Sequence, residues 1–338
     1  MEVRLIDIAP NSNILIINTA FLGDIALTAF LTQKLKSSHN CQISVLTTKP
    51  GAEVLSPVKS IDSLFILDKK GTHKSIRSTI DFAKSLSAYN FDIIVSLHKS
   101  YRTSQIVKNI HSDIKIGFDN ATNSRVYTHK PKYLNHLHEA DRYISTIFED
   151  FEKMPIELDL NIDDKLFVEN LLLQNKFNEN KKTVVLAPGS VWNTKKWGST
   201  NYSDLANLLL GDYNVVVVGS KQDCLKLSNG VIDLCGKTTI SQTYQLLLQS
   251  DVLVTNDSAP THFASLTNTP TIAIFGATHP MFGFGPLAEN SVVVQNESLK
   301  CRPCRVHGSE SCPLGTHECM SSISPSSILK KIKVIIGS

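Results

Sequence analysis

The chain has 338 residues, of which 42% are hydrophobic, and a formal net charge of +3 at pH 7. This length exceeds one ordinary α/β core and fits two, while so small a charge gives no argument for a nucleic-acid partner. The seven cysteines are an odd number, the N-terminus lacks a secretory signal, and no apolar run is long enough for a membrane span, so we expect a cytoplasmic protein.

The first half alternates apolar strands with helical patterns. In chain order we predict a strand at 14–17, an amphipathic helix from Asp24 to about Ser37, strands at 42–46, 63–67 and 92–97, and a closing helix at 141–151. Such alternation predicts a parallel sheet with helices on both faces.

The alternation restarts after a polar, extended segment at residues 154–163. The second half is predicted to contain strands at 183–187, 214–218, 251–255 and 271–275, helices at 202–210, 222–229, 240–249 and 259–266, and a helical tail at 325–335. We therefore predict an α/β protein with two Rossmann-like domains, whose parallel sheets face each other across a cleft. The predicted domains span residues 1–160 and 161–322, and a C-terminal helix in 323–338 is expected to pack back on the N-terminal domain.

The most informative stretch, residues 255–278, reads as strand, polar turn, helix and strand. Asp257 and Ser258 lie in the turn at the carboxyl end of the first strand, Ala259 opens the helix, and His262 lies one helical turn further on. Backbone N–H groups and the helix dipole attract anions at such a place, which predicts a nucleotide or phosphate site. A capped helix with a satisfied histidine is the alternative.

Two other strand ends carry candidate catalytic groups. Asp24 follows Gly23 after the first strand, where it is either a helix N-cap or a cleft-facing general base. Ser190, Lys195 and Lys196 follow the strand at 183–187 and can cradle a diphosphate. A solvated surface loop is the alternative, although both tryptophans of the chain flank the two lysines.

Asp223 follows the strand at 214–218, where it caps a helix or binds a ribose. The segment Gly236-Lys237-Thr238 is not a P-loop, because position 231 holds Val where that motif needs Gly, and Thr238 or Thr239 is expected to cap the next helix.

Basic residues after the strand at 92–97 suggest an acceptor pocket. His98, Lys99 and Arg102 lie there, and His138 follows further along the chain. A solvated edge is the alternative for each of them.

Four cysteines cluster near the C-terminus in a spacing that fits a structural zinc site, with free thiols as the alternative. They are Cys301, Cys304, Cys312 and Cys319.

Taken together and in order, these segments resemble glycosyltransferase family 9, the ADP-heptose:lipopolysaccharide heptosyltransferases, and most closely their type II. The resemblance is carried by ILIINTAFLGD at 14–24, PGSVWNTKKW at 188–197, residues 218–223, Gly236-Lys237-Thr238, NDSAPTH at 256–262 with the strand that follows, and the cysteine-rich tail.

The resemblance implies a GT-B fold and an inverting, metal-independent transfer of heptose from ADP-heptose to the inner core of lipopolysaccharide, as the second heptose on the Kdo-lipid A core. It makes Asp24 the base that deprotonates the acceptor hydroxyl and Lys195 the group that stabilises the departing diphosphate. The implied nucleotide-binding residues are Ser190, Lys196, Asp223, Thr238, Asp257, Ser258, Ala259 and His262. The implied acceptor-binding residues are His98, Arg102 and His138.

The family further implies a Gram-negative, cytoplasmic monomer in peripheral contact with the inner face of the inner membrane, with no cofactor required. Ala259 stands where the family usually has Gly, and Gly198 where it commonly has Pro. A family member with a different acceptor or nucleotide sugar, or a nucleotide-sugar-binding protein without catalysis, remain as alternatives.

Overall fold

The computed structural model describes residue 6, residues 8–175 and residues 177–337. The chain divides into two compact units, which meet in sequence between Asp159 and Leu160.

The N-terminal unit is built on a five-stranded parallel sheet. Its strands are β1 (Asn13–Ile17), β2 (Gln42–Thr47), β3 (Ser63–Ile66), β4 (Ile93–Ser96) and β5 (Ile114–Gly117). Its α-helices are α1 (Leu22–His39), α2 (Lys49–Leu55), α3 (Ile76–Leu86), α4 (Tyr101–Asn109) and α5 (Glu139–Ile144). The strand order is β3-β2-β1-β4-β5, and β1 is buried because it lies in the middle of the sheet.

Helix α1 differs from its prediction in its first residue and in how much of its surface is buried. It begins at Leu22 with Phe21 in the N-cap position, so that Asp24 lies inside the first turn and is not the N-cap. The residues from Ile25 to Leu35 are all buried, including Lys34, whose ammonium pairs with Asp150. The helix is therefore enclosed in the unit and is not the amphipathic surface helix that its polar residues predicted.

The C-terminal unit is built on a six-stranded parallel sheet. Its strands are β6 (Thr183–Ala187), β7 (Asn214–Val217), β8 (Ile232–Asp233), β9 (Val252–Asn256), β10 (Thr271–Phe275) and β11 (Val292–Gln295). Its α-helices are α6 (Ile162–Gln174), α7 (Ser199–Leu209), α8 (Ile240–Leu248), α9 (Ala259–Thr267), α10 (Glu318–Ser321) and α11 (Pro325–Ile336). The strand order, β11-β10-β9-β6-β7-β8, is that of the dinucleotide-binding Rossmann fold.

Two predicted helices are wrong in whole or in part. Residues 222–229 form only a 3₁₀ turn, Lys221–Asp223, followed by extended chain, since Leu225 and Leu227 pack alternately against the core with the period of a strand. The helix predicted at 141–151 ends at Ile144. The hydroxyls of the next two residues donate to the carbonyls of Arg142 and Tyr143 and so compete with helix continuation.

The C-terminal helix α11 packs against α7, β9 and β10 within its own unit, whereas the sequence expectation placed it on the N-terminal domain. Its buried residues Ile328 and Ile332 belong to the same core as Val254 and Ile274 of the sheet. Among the residues that the structure describes, no helix is both long enough and apolar enough to cross a bilayer.

Each sheet has one point at which the chain reverses its direction of strand addition. In the N-terminal unit the point lies between β1 and β4, and in the C-terminal unit between β6 and β9. Ligands of open parallel sheets bind at the carboxyl ends of the strands at such points. The polar segments that follow these four strands are thus the places to look for a site.

Candidate active site

In the C-terminal unit, the segments that follow β6 and β9 are joined by an ion pair. Lys195 lies in a 3₁₀ turn, and its Nζ is 2.8 Å from Oδ2 of Asp257. The same carboxylate oxygen accepts a hydrogen bond of 2.5 Å from the hydroxyl of Thr278, which follows β10. Both members of the pair are largely removed from solvent, with side-chain exposures of 14% and 7%. Lys195 therefore places a positive charge at the switch point.

Asn256, the last residue of β9, fixes the loop that carries Lys195. Its Nδ2 donates to the carbonyl of Pro188 at 2.8 Å, and its Oδ1 accepts from the backbone N–H of Trp197 at 3.0 Å. The Trp197 indole in turn donates to the carbonyl of Ile323. One fully buried amide thus binds the loop at both of its ends, which holds the lysine in a defined place.

The N-terminus of α9 has no side-chain cap and directly follows Asp257 of this ion pair in the chain. Ser258 is the N-cap residue, but it makes no side-chain capping hydrogen bond to the helix. Its hydroxyl instead lies 3.3 Å from that of Thr255 and 3.4 Å from the carbonyl of Asn256. Ala259 is the first residue of the helix, so its N–H and the helix dipole attract an anion there.

The other predicted nucleotide-binding residues lie around this point at different depths. Ser190 and Lys196 are half-buried in the loop after β6. Asp223 accepts two hydrogen bonds from Ser220, at 2.9 Å from its N–H and 2.6 Å from its hydroxyl. It also lies so close to Gly189 that a Cβ there would be 2.7 Å from its carboxylate. The loops after β6 and β7 therefore touch each other.

Thr238 and His262 lie further from the ion pair along the chain. Thr238 follows the edge strand β8, and its hydroxyl is 3.2 Å from that of Thr243, while Thr239 is the residue that caps α8. His262 is buried within α9, and its ring lies 6.2 Å from the ring of Phe284. The edge strand is two strand spacings, roughly 10 Å, from β6.

The cysteine-rich segment does not form the predicted zinc site, but it holds the loop of Lys195. No three of its four sulfur atoms lie within 4.8 Å of one another in the part of the chain that the structure describes, and all four cysteines are free thiols. Ser309 exchanges three hydrogen bonds with Thr194, and Gly308 lies against the aliphatic chain of Lys195. The segment is itself attached to the end of β10, since Cys304 N–H donates to the carbonyl of Ala277.

In the N-terminal unit, Asn18 positions Asp24. The buried Asn18 amide follows β1 and donates to the backbone carbonyl of Asp24 at 3.2 Å, to the hydroxyl of Thr28 at 3.0 Å and to that of Tyr143 at 3.3 Å. It thereby holds the first turn of α1 against the end of the strand. The Asp24 side chain is only partly buried, and the N-terminal turn of a helix stabilises its negative charge.

Two lysines lie at the same end of the sheet as this carboxylate: Lys99, which belongs to the basic stretch predicted after β4, and Lys69, which the sequence did not point to. Lys69 follows β3 and donates to the carbonyl of Thr19 at 2.6 Å. Lys99 follows β4, and its ammonium lies 3.3 Å from the centre of the Tyr133 ring. Burial lowers the pKa of both lysines, and the charges of Glu139 and then Asp24 partly oppose this for Lys99. Lys99 is therefore a positive charge that interacts with Asp24.

His98 also follows β4, directly before Lys99, and is neutral at pH 7. Burial, followed by the charges of Lys69 and Lys99, lowers the pKa of His98 to about 4. Its Nδ1 is 2.9 Å from the Thr19 hydroxyl and 3.0 Å from that of Thr103. The ring can therefore offer hydrogen bonds but brings no positive charge.

Arg102 and His138, the other two acceptor candidates, already make internal contacts. The Arg102 guanidinium donates to the carbonyls of His73 and Lys74 and to the Thr79 hydroxyl, which ties α4 to the start of α3. His138 is the N-cap residue of α5 and accepts from the Ala140 N–H at 3.1 Å. Both residues hold the scaffold in this structure. The positive charge of Arg102 also helps to lower the pKa of Lys69.

The residues that sequence reasoning missed share one signal. Asn18, Lys69 and Thr278 each follow a strand of a parallel sheet within three residues. Because the carboxyl ends of the strands gather at one edge of each sheet, every polar residue that follows them is a candidate.

The model of the family described as glycosyltransferase family 9 (heptosyltransferase) matches residues 79–314. A curated relative, lipooligosaccharide heptosyltransferase 2 of Campylobacter jejuni (serotype O:6), is 26% identical over an alignment of 244 residues that covers 65% of this chain and 75% of that protein.

Two solved structures are similar over nearly their whole length. The family 9 glycosyltransferase of Veillonella parvula has a TM-score of 0.86 at 21% identity and 98% coverage of both chains. The ADP-heptose lipopolysaccharide heptosyltransferase II of E. coli has a TM-score of 0.78 at 18% identity, with 96% of this chain and 98% of that chain covered. At these identities the likeness establishes the fold.

Proposed function

Because this chain belongs to glycosyltransferase family 9, we propose that it transfers heptose from ADP-heptose to the inner core of lipopolysaccharide, with addition of the second heptose as its reaction. The relatives named heptosyltransferase 2 and II support the position of the sugar. The observation that carries the proposal is the Lys195–Asp257 ion pair beside the uncapped N-terminus of α9. The pair fixes the ammonium group of Lys195 next to the helix N-terminus, where a nucleotide diphosphate would lie.

The donor diphosphate would bind to Lys195 and to the N-terminus of α9 at Ser258 and Ala259. Ser190 and Lys196 would supply further donors to the phosphates, and Asp223 and Thr238 would contact the nucleoside. His262 would support α9 from within the helix. As the glycosidic oxygen of the diphosphate takes up negative charge, Lys195 and the helix dipole stabilise it, so the transfer requires no cofactor.

The acceptor would bind the N-terminal unit beside Asp24. The carboxylate takes the proton of the acceptor hydroxyl while that oxygen attacks the anomeric carbon from the side opposite the diphosphate. One carbon–oxygen bond forms, the bond to the diphosphate breaks, ADP leaves, and the configuration at the anomeric carbon inverts.

The anionic acceptor would be held by Lys69 and Lys99, with His98 as a neutral hydrogen-bonding group. Arg102 and His138 act on the acceptor through the scaffold that they hold. We further propose that the protein works as a monomer at the cytoplasmic face of the inner membrane, where a lipid-linked acceptor is presented.

The deciding experiment is a transfer assay with ADP-heptose and purified lipopolysaccharide acceptors that carry no heptose, one heptose or two. We expect the product only with the acceptor that carries one heptose, detected as a mass increase of one heptose. Transfer to the heptose-free acceptor alone would place the enzyme at the first step and contradict the proposed position.

Binding of ADP, UDP and GDP by calorimetry separates the remaining alternatives. We expect ADP to bind most tightly. A preference for UDP or GDP would overturn ADP-heptose as the donor, and tight ADP-heptose binding without transfer to any acceptor would identify a binding protein.

A further inference from the structure

A second cluster of ligand-type side chains lies at the edge of the C-terminal sheet, outside the candidate active site. Cys224 follows the 3₁₀ turn after β7, and Asp233 and Cys235 lie at the end of β8. Their sulfur and carboxylate atoms all lie within 4.8 Å of one another. Of the side chains in the described ranges, these three form the one group that is arranged to share an ion.

We propose that Cys224, Asp233 and Cys235 bind a thiophilic divalent cation of the Zn²⁺ type. Two thiolates and one carboxylate are ligands that Zn²⁺ prefers, whereas Mg²⁺ and Ca²⁺ prefer oxygen ligands alone. A water molecule would complete the tetrahedron. Each thiol releases its proton to solvent as its sulfur coordinates the ion.

The cluster is held in place by backbone contacts around it. The Cys235 N–H donates to Oδ1 of Asp233 at 3.0 Å, which turns the carboxylate towards the sulfur. The Gly236 N–H donates to the carbonyl of Gly219 at 2.8 Å, which joins the segments after β7 and β8. The three ligands are thus brought together by the fold itself, as a metal site with oriented ligands requires.

The position of the site gives it a structural consequence. Cys224 directly follows Asp223, and Cys235 directly precedes Gly236 and the segment of Thr238. A bound ion would cross-link these two segments.

The test is zinc uptake by the reduced full-length chain, measured by elemental analysis after removal of weakly bound metal with a competing chelator. The variants are Cys224→Ser, which changes an exposed residue, and Asp233→Asn, which removes a charge at constant shape. Cys235→Ser serves only as a third variant, because a change at this buried residue could lower the stability of the fold by itself. The matched control is Cys304→Ser in the C-terminal cysteine cluster.

We expect the wild type and the control to bind equally, and each of the first two variants to lose about one equivalent of zinc or at least about tenfold in affinity. Substitution with Co²⁺ should give a thiolate-to-metal absorption band in the wild type that is weakened in Cys224→Ser. The proposal is overturned if the wild type takes up no zinc, if both variants bind as the wild type does, or if only Cys304→Ser loses metal.

Discussion

Lys195 and Asp257 are joined by an ion pair of 2.8 Å that is almost entirely buried, although they come from loops far apart in the sequence. The pair neutralises one carboxylate oxygen while it holds the ammonium at the N-terminus of α9. A buried pair of this kind is costly to break, since either partner alone is left as an unpaired charge.

Replacement of Lys195 by Ala should therefore weaken ADP binding by about 10- to 100-fold, as expected for a lost charged hydrogen bond, while the binding of adenosine stays unchanged. Calorimetry with both ligands measures this. Because Asp257 loses its partner, the free energy of unfolding should also fall by about 3 kcal/mol.

The control for this variant is Lys182→Ala, which removes the same charge from an exposed pair with Asp251 at the amino ends of the strands. It should leave both affinities unchanged. If Lys195→Ala weakens adenosine and ADP equally, the lysine only supports the fold and does not contact the diphosphate.

Replacement of Asp24 by Asn should lower kcat by about 10²- to 10⁴-fold, because the amide cannot accept the proton of the acceptor hydroxyl. The affinity for ADP should remain that of the wild type, since Asp24 belongs to the other unit. Steady-state kinetics and calorimetry on the same preparation give the two values. Asp81→Asn, an exposed change on α3, is the control. A kcat within a factor of two or so of the wild type would exclude Asp24 as the general base.

His98 should make the stability of the N-terminal unit depend on pH. An unfolded histidine takes up a proton below a pH of about 6.5, whereas folded His98 does so only near its pKa of about 4. The unfolded state then binds more protons between these values, so the free energy of unfolding falls as the pH drops through this window, by up to about 3 kcal/mol.

His98→Asn keeps a polar atom near Thr19 and Thr103 and removes the titration. Urea unfolding at pH 7 and pH 4.5 should show a smaller acid loss in this variant than in the wild type. Equal losses in the two proteins would show that His98 titrates normally in the folded state.

Eight of the eleven strands that the structure describes were predictable, with their polar ends, because parallel strands are apolar on both faces, as in β1 and β9, and stop abruptly at polar residues. The edge strands β5, β8 and β11 were not predicted, since each has at most four residues and only one neighbouring strand. The start of α1 was not predictable, since nothing in the local sequence makes Phe21 a better N-cap than Asp24. The helix expected at 222–229 failed because Leu225 and Leu227 are two residues apart, a spacing that puts them on one side of a strand but on opposite sides of a helix. The partners of Lys195 come from distant segments, so only the tertiary structure could reveal them.

Gly308 supports Lys195 from the cysteine-rich segment. It has a φ of +84°, and a Cβ there would stand 3.0 Å from Cγ and Cδ of Lys195 and from Cβ of Trp192. Gly308→Ala should therefore push the lysine away from Asp257 and lower kcat/KM by about tenfold, in addition to a backbone cost of about 1 kcal/mol.

Gly315→Ala separates these two effects, because Gly315 has a similar φ of +71° but nothing within 4 Å of its added Cβ. Both variants should lose about the same stability from the left-handed backbone, as measured by urea unfolding. Only Gly308→Ala should lose activity and ADP affinity. Equal activity in the two variants would mean that Gly308 does not position Lys195, and that the loop depends on Asn256 and on the hydrogen bonds between Thr194 and Ser309 instead.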